Sequence, residues 1–141
     1  QIRPFAADLF ARRIAKARKR AKDIDKLSVH DRHKLRIAMK KLRYSIYFFE
    51  SLFDGHKSRK MLLRYKDCLG GLQDSLGALN DIAVHQRMVT RFTNHIESRK
   101  SEPVAFAAGV VLATERGETE RLLATTERAA RRLRRAREFW G

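Results

Sequence analysis

The chain has 141 residues, 34% of them charged and 43% hydrophobic, with a net charge of +16. That length suits one domain able to bury a core, and no apolar run approaches the length of a membrane span. The single cysteine, Cys68, excludes an intrachain disulfide and fits a reducing compartment, and the start shows no n-region and h-region of a signal peptide, so a cytoplasmic protein is expected.

Pro4 suits the first turn of a helix over about residues 4–24. Phe10, Ile14, Ala17, Ala21 and Ile24 form its core face, while Arg12, Arg13, Lys16, Lys19 and Arg20 occupy roughly the opposite half. Ser28 is the expected N-cap of a second helix, with Asp31 three residues on in the place of a capping-box Glu or Gln. The short turn makes the first two helices antiparallel and brings Arg13 to Arg20 alongside Leu35 to Leu42.

The second helix carries two stripes. Leu35, Met39, Leu42, Ile46, Phe49 and Phe53 form a core face. His33, Arg36, Lys40 and Arg43 form a ladder of donors rising roughly 15 Å at about 1.5 Å per residue, which Tyr47 extends. Ile37, Tyr44 and Phe48 border it on the far side, and like charges at these spacings repel. A cationic row between apolar strips suggests a groove for an anion.

Asp54-Gly55 reads as the end of this helix, with Gly just past the last turn. A third helix is expected from Ser58, with Leu62, Leu69 and Leu76, and Leu72 and Leu79, at heptad spacing. Gly70, Gly71 and Gly77 leave open whether it is one kinked helix or two, the second capped at Asn80-Asp81 and running to about Ile96. Ser101-Glu102-Pro103 starts the last helix, which is expected to reach Arg137, with Arg128, Arg131, Arg132 and Arg135 on one broad face and Leu133, Ala136 and Trp140 continuing a core face. The pattern predicts an all-α, up-down antiparallel bundle of about four long helices, a single domain over residues 1–141.

The charge is unevenly spread. Residues 1–43 carry +11, residues 44–127 sum to zero, and residues 128–141 carry +5. If the two ends meet in space, they build one strongly positive site for a polyanion.

No Gly-rich phosphate loop, HExxH or nucleophile elbow is present, so no catalysis is expected. Asp74 and Asp81 lie one heptad apart and read as partners for arginines or as helix caps. His30, His33, His56, His85 and His95 lack i,i+4 ligand spacing, so neither a metal nor a cofactor is expected. The basic face could instead bind nucleic acid. Base-reading modules are absent, however, and Phe48, Phe49, Phe53 and Trp140 fit core positions better than stacking platforms. Membrane binding ranks last, because the apolar face of the first helix is mostly alanine. A ligand made only of phosphate needs charge and bidentate donors without stacking.

The run His33-Lys-Leu-Arg36-Ile-Ala-Met-Lys40-Lys41-Leu-Arg43-Tyr44 resembles the core motif of the CHAD family, the conserved-histidine α-helical domain. Leu72-Gln73-Asp74-Ser-Leu-Gly77-Ala-Leu-Asn80-Asp81 resembles its second signature, and Glu138-Phe139-Trp140 its Phe-Trp ending, so the likeness extends across nearly the whole chain. The resemblance implies a helical domain that binds inorganic polyphosphate, found at polyphosphate granules and without catalysis of its own. Carried over, His33, Arg36, Lys40 and Arg43 are the anion contacts, and Gln73, Asp74 and Asp81 orient the cations. Face geometry adds Arg13, Lys16, Arg20 and Arg132. The family carries two such repeats, and this chain looks like the second alone. Pairing with a first repeat, or a homodimer through the basic and second apolar faces, is therefore expected. The alternatives are a nucleic-acid-binding module and a regulatory part of a polyphosphate- or triphosphate-processing enzyme.

Overall fold

The computed structural model describes residues 1–95 and 102–141. Four helices follow one another: α1 (Ile2–Arg20), α2 (Val29–Phe49), α3 (His56–His95) and α4 (Glu102–Arg135). No strand occurs among the described residues, and no helix there is long and apolar enough to cross a membrane. The architecture is the all-α bundle that the periodicity predicts.

The expected core faces are buried. Phe10, Ile14, Ala17, Ala21 and Ile24 pack on Leu35, Met39, Leu42 and Ile46, and the heptad leucines of α3 close the other side. The turn after α1 differs from the expectation of a helix to residue 24. Asp23 adopts a left-handed φ of 53°, tolerable for an Asp, and a 3-10 turn over Ile24–Lys26 follows. Ser28 caps α2 as expected: its hydroxyl oxygen accepts from the Asp31 amide at 3.1 Å, and the hydroxyl donates to the Asp31 carboxylate at 2.8 Å. This reverses the side-chain half of an ordinary capping box, since the acid takes the Ser hydroxyl rather than a backbone amide.

Two other boundaries differ. α2 ends at Phe49 and tightens into a 3-10 turn over Glu50–Phe53, and Gly55 has no positive φ, so no left-handed glycine cap closes it. α3 starts at His56 and is one continuous helix of 40 residues through Gly70, Gly71 and Gly77. A Cβ at Gly70 or Gly71 would meet nothing within 4 Å, so close helix approach does not explain those two. Ser101, expected as the last N-cap, and Ile96, the expected end of the preceding helix, lie outside the described residues.

At 1.5 Å per residue α3 and α4 run about 60 and 50 Å, against about 30 Å for α1 and α2. The hairpin of α3 and α4 therefore projects past the four-helix base as a two-helix arm. Burial follows this length mismatch: α3 has no fully buried residue beyond Ala83, and α4 none among its residues before Thr126. Met88, Phe92, Phe106 and Val110 are exposed on the arm.

The base is closed by the C-terminal segment. Trp140 and Phe139 arrive after α4 has ended at Arg135, not on a continuing helix face, and insert beside Phe10, Phe53 and Tyr65. Ring centroids lie 5.5 Å apart for Phe10–Phe139, 5.4 Å for Phe10–Trp140 and 5.3 Å for Tyr65–Trp140. The Phe10–Trp140 and Tyr65–Trp140 pairs are edge-on and the Phe10–Phe139 pair is tilted, and aromatic pairs of this kind contribute about 0.5–1.5 kcal/mol each beyond the area they bury. The two basic ends of the chain meet at the base. Arg18 reaches Glu138 at 3.3 Å, and Arg134 donates to the Ala21 carbonyl at 3.2 Å.

Candidate anion-binding site

α2 lies between α1 and α3, and its core face leaves two flanks. Residues two apart on a helix point about 200° from each other at about 100° per residue. Lys34 and Arg36 therefore leave α2 on opposite sides, as do Lys41 and Arg43. The two flanks of α2 therefore carry different cations.

On the α3 flank the registers run antiparallel. Arg43 Nη1 donates to Gln73 Oε1 at 3.1 Å, Arg36 Nε stands 3.9 Å from where a Gly77 Cβ would be, and His33 shares a cleft with Asn80. Gln73, Gly77 and Asn80 follow at the helical spacings of 4 and 3, so they form one stripe of α3 facing the ladder of α2. Arg43 is held at a second point, its Nε donating to Tyr47 Oη at 3.0 Å. The Lys40 ammonium sits 5.8 Å from the Tyr44 ring centroid, and Lys66 sits 4.4 Å from that of Tyr47 while pairing with Glu50 at 2.7 Å. Among the described residues the buried Arg36 Nε has no hydrogen-bond partner. A buried donor of this kind calls for an acceptor.

The flank widens toward the start of α2 into a cleft of about 930 Å³, where His30 and His33 face Arg87 and Arg91. The two arginines were not anticipated. Their signal was available, since Arg87 and Arg91 continue the stripe of Gln73, Gly77 and Asn80 at spacings of 7 and 4. Among the described residues, none of His33, Arg36, Lys40 and Arg43 forms an ion pair. Gln73 orients a cation as the resemblance implies. Asp74 and Asp81 do not: both are exposed, and neither makes an ion pair or side-chain hydrogen bond among the described residues.

Arg13, Lys16 and Arg20 do not join this row. They line a separate cleft of about 530 Å³ on the other flank of α2, opposite Lys34 and Lys41. The expectation that α1 falls beside α2 holds, but the two basic stripes face away from each other. Arg132 occupies a third place, reaching Asp67 at 3.3 Å in a cleft between α3 and α4 that Arg64 and Arg135 also line. The predicted contacts are thus divided among three surfaces instead of one.

The aromatic assignment is corrected as well. Phe53 and Trp140 are buried, and Phe49 is half-buried, but Phe48 is 78% exposed. Tyr44, at 60%, is exposed on the same outward side of α2, and Tyr47, at the end of the ladder, is 41% exposed. Among the described residues, no group of three His, Cys, Asp or Glu side chains is placed to hold a metal ion.

A family model described as the CHAD domain matches residues 1–90, which takes in α1, α2 and most of α3 with both motifs. α4 and the Phe139-Trp140 ending lie outside the matched segment. No curated protein and no solved structure matches the chain.

Proposed function

The chain belongs to the CHAD family, and on that premise we propose that it binds inorganic polyphosphate along the α3 flank of α2. The observation that carries this reading is the ladder itself. Arg43 is aimed by two neutral acceptors that leave its charge unspent, and Arg36 keeps a buried Nε without a partner beside Gly77. Neutral partners orient a guanidinium without cancelling it, and charge-assisted bonds from such donors to phosphate oxygens are the strong ones. His33 adds a donor at the head of the row, with both ring nitrogens donating once protonated. The protein acts as a cytoplasmic binding module, recruited to polyphosphate granules, with no reaction of its own. It completes its site with a first repeat or a second copy, and light scattering that finds a monomer even with polyphosphate present would overturn the homodimer.

The test is titration with long-chain polyphosphate, single-stranded DNA and double-stranded DNA near physiological salt, with an Arg36→Ala, Lys40→Ala, Arg43→Ala variant as control. At about 1.5 kcal/mol or more for each charged hydrogen bond, the variant is expected to lose at least about a hundredfold in polyphosphate affinity. Equal binding of all three polymers, fading together as salt rises, would reduce the row to a nonspecific cationic surface.

One observation favours a second reading. The exposed Tyr44, Tyr47 and Phe48 stand beside the ladder, and aromatic platforms next to a basic track suit single-stranded nucleic acid. If bases stack there, a Tyr44→Ala, Phe48→Ala variant loses single-stranded DNA binding and keeps polyphosphate binding.

A further inference from the structure

The cleft between α1 and α2 lies on the flank of α2 that faces away from the family's histidine motif. Its α1 wall carries Arg12, Arg13, Lys16 and Arg20, and its α2 wall carries Lys34 and Lys41. Leu9, Ile37 and Ala38 complete the lining. Among the described residues no carboxylate lines the cleft. Two of its cations are paired, one toward each end: Asp8 holds Arg12 at 2.9 Å, and Asp31 holds Lys34 at 3.7 Å. Between those ends Arg13, Lys16, Arg20 and Lys41 have no ion-pair or side-chain hydrogen-bond partner among the described residues. The Arg13 Nε is buried and has no partner among the described residues, like its counterpart on Arg36.

Arg13, Lys16 and Arg20 step along the wall by about 4.5 and 6 Å, and the row is about 10 Å long. Four uncompensated cations over that length repel one another, so the fold carries an electrostatic cost there that an anion would remove. The low-dielectric lining of Leu9, Ile37 and Ala38 strengthens any such attraction. Among the described residues no aromatic side chain lines the cleft, which leaves nothing there for a base to stack on. Cations on both walls and no stacking surface suit a thin, densely charged anion without an organic part.

We propose that the α1–α2 cleft is a second, separate oligophosphate site, so that one molecule holds two phosphate segments on opposite flanks of α2. The proposal rests on the function proposed above only for the chemistry of the ligand; its geometry is independent. A divalent molecule bridges two segments of a phosphate polymer, which a molecule with one groove cannot do.

Calorimetric titration with inorganic tripolyphosphate tests this. The wild type is expected to bind two equivalents, and an Arg13→Gln, Lys16→Gln, Arg20→Gln variant one. A Lys34→Gln, Lys41→Gln variant should also bind one, and since it alters the opposite wall, the shared loss cannot be ascribed to α1 failing to fold. The Arg36→Ala, Lys40→Ala, Arg43→Ala variant should keep the cleft's equivalent and lose the other. Cleft variants that bind as many equivalents as the wild type overturn the proposal. So does a cleft variant that loses both equivalents together, because the site would then be continuous. One wild-type equivalent, lost only in the cleft variants, would sink the α3-flank reading and leave the cleft standing. No binding by the wild type overturns both.

Discussion

On its α3 side α2 presents Arg43 tied at two points, to Gln73 at 3.1 Å and Tyr47 at 3.0 Å; on its α1 side Lys41, two residues away, has no partner among the described residues. Both flanks are cationic and both contain an Arg Nε with no acceptor. They differ in how far the cations are organised before a ligand arrives. Fixing a free Lys or Arg side chain costs up to about 2 kcal/mol of rotamer entropy, much of which Arg43, tied at two points, has met on folding. Like charge patterns on one helix can therefore give a prepared row on one side and a loose one on the other.

The largest expected effect comes from separating the flanks physically. α1 is anchored by Phe10, which is fully buried against Phe53, Phe139 and Trp140. Phe10→Ala should destabilise the protein by about 3–5 kcal/mol in denaturant melts and loosen α1 first. Hydrogen exchange should then show α1 losing protection while α2 and α3 keep theirs. Uniform loss would mean that both flanks belong to one cooperative unit.

Tyr65 packs against Phe139 and Trp140 and lines neither the α1–α2 cleft nor the cleft beside His33, so changing it should affect neither flank. Its ring is buried, its hydroxyl has no hydrogen-bond partner among the described residues, and burial pushes its phenol well above the usual tyrosine range. A neutral acid whose pKa rises on folding contributes stability below its unfolded value, near 10, and that contribution is lost as pH climbs beyond it. Tyr65→Phe removes an unpartnered polar atom and should stabilise by about 1 kcal/mol at neutral pH. Its stability should also decline less steeply than that of the wild type above about pH 10. Phosphate binding on either flank should be unchanged.

Two smaller changes act on the α3 flank alone. A methyl at Gly77 would meet Arg36 Nε at 3.9 Å, an ordinary contact, so Gly77→Ala should add about 0.5–1 kcal/mol of helix stability with polyphosphate affinity kept. A loss of affinity would show that Arg36 needs the space. Gln73→Ala frees one end of Arg43 and should weaken polyphosphate binding roughly threefold, consistent with losing preorganisation rather than charge. If Gln73→Ala leaves affinity untouched, the difference in preparation between the flanks has no consequence for binding.

How much of this was legible in the sequence varies by element. The buried stripe Leu35, Met39, Leu42, Ile46 and the leucines of α3 were plain, because helical periodicity is local and survives any tertiary arrangement. The Ser28 cap was plain for the same reason. The exposure of Phe48 is readable from its position, since it falls with Ile37 and Tyr44 away from the core stripe, although aromatic character alone favours burial. The continuity of α3 could not be read. Three glycines weaken a helix locally, while packing against α2 and α4 sustains it.

The sequence by itself determined that the chain is helical, which faces of its helices are apolar, and that His33, Arg36, Lys40 and Arg43 share one stripe. Those properties depend on residues three and four apart. Which flank of α2 receives α1 was decided only in three dimensions, by the chain reversal at Asp23 and the packing of Phe10 into the aromatic core. That choice turned Arg13, Lys16 and Arg20 away from the histidine stripe, because a helix face has a direction in space only once its neighbours are in place.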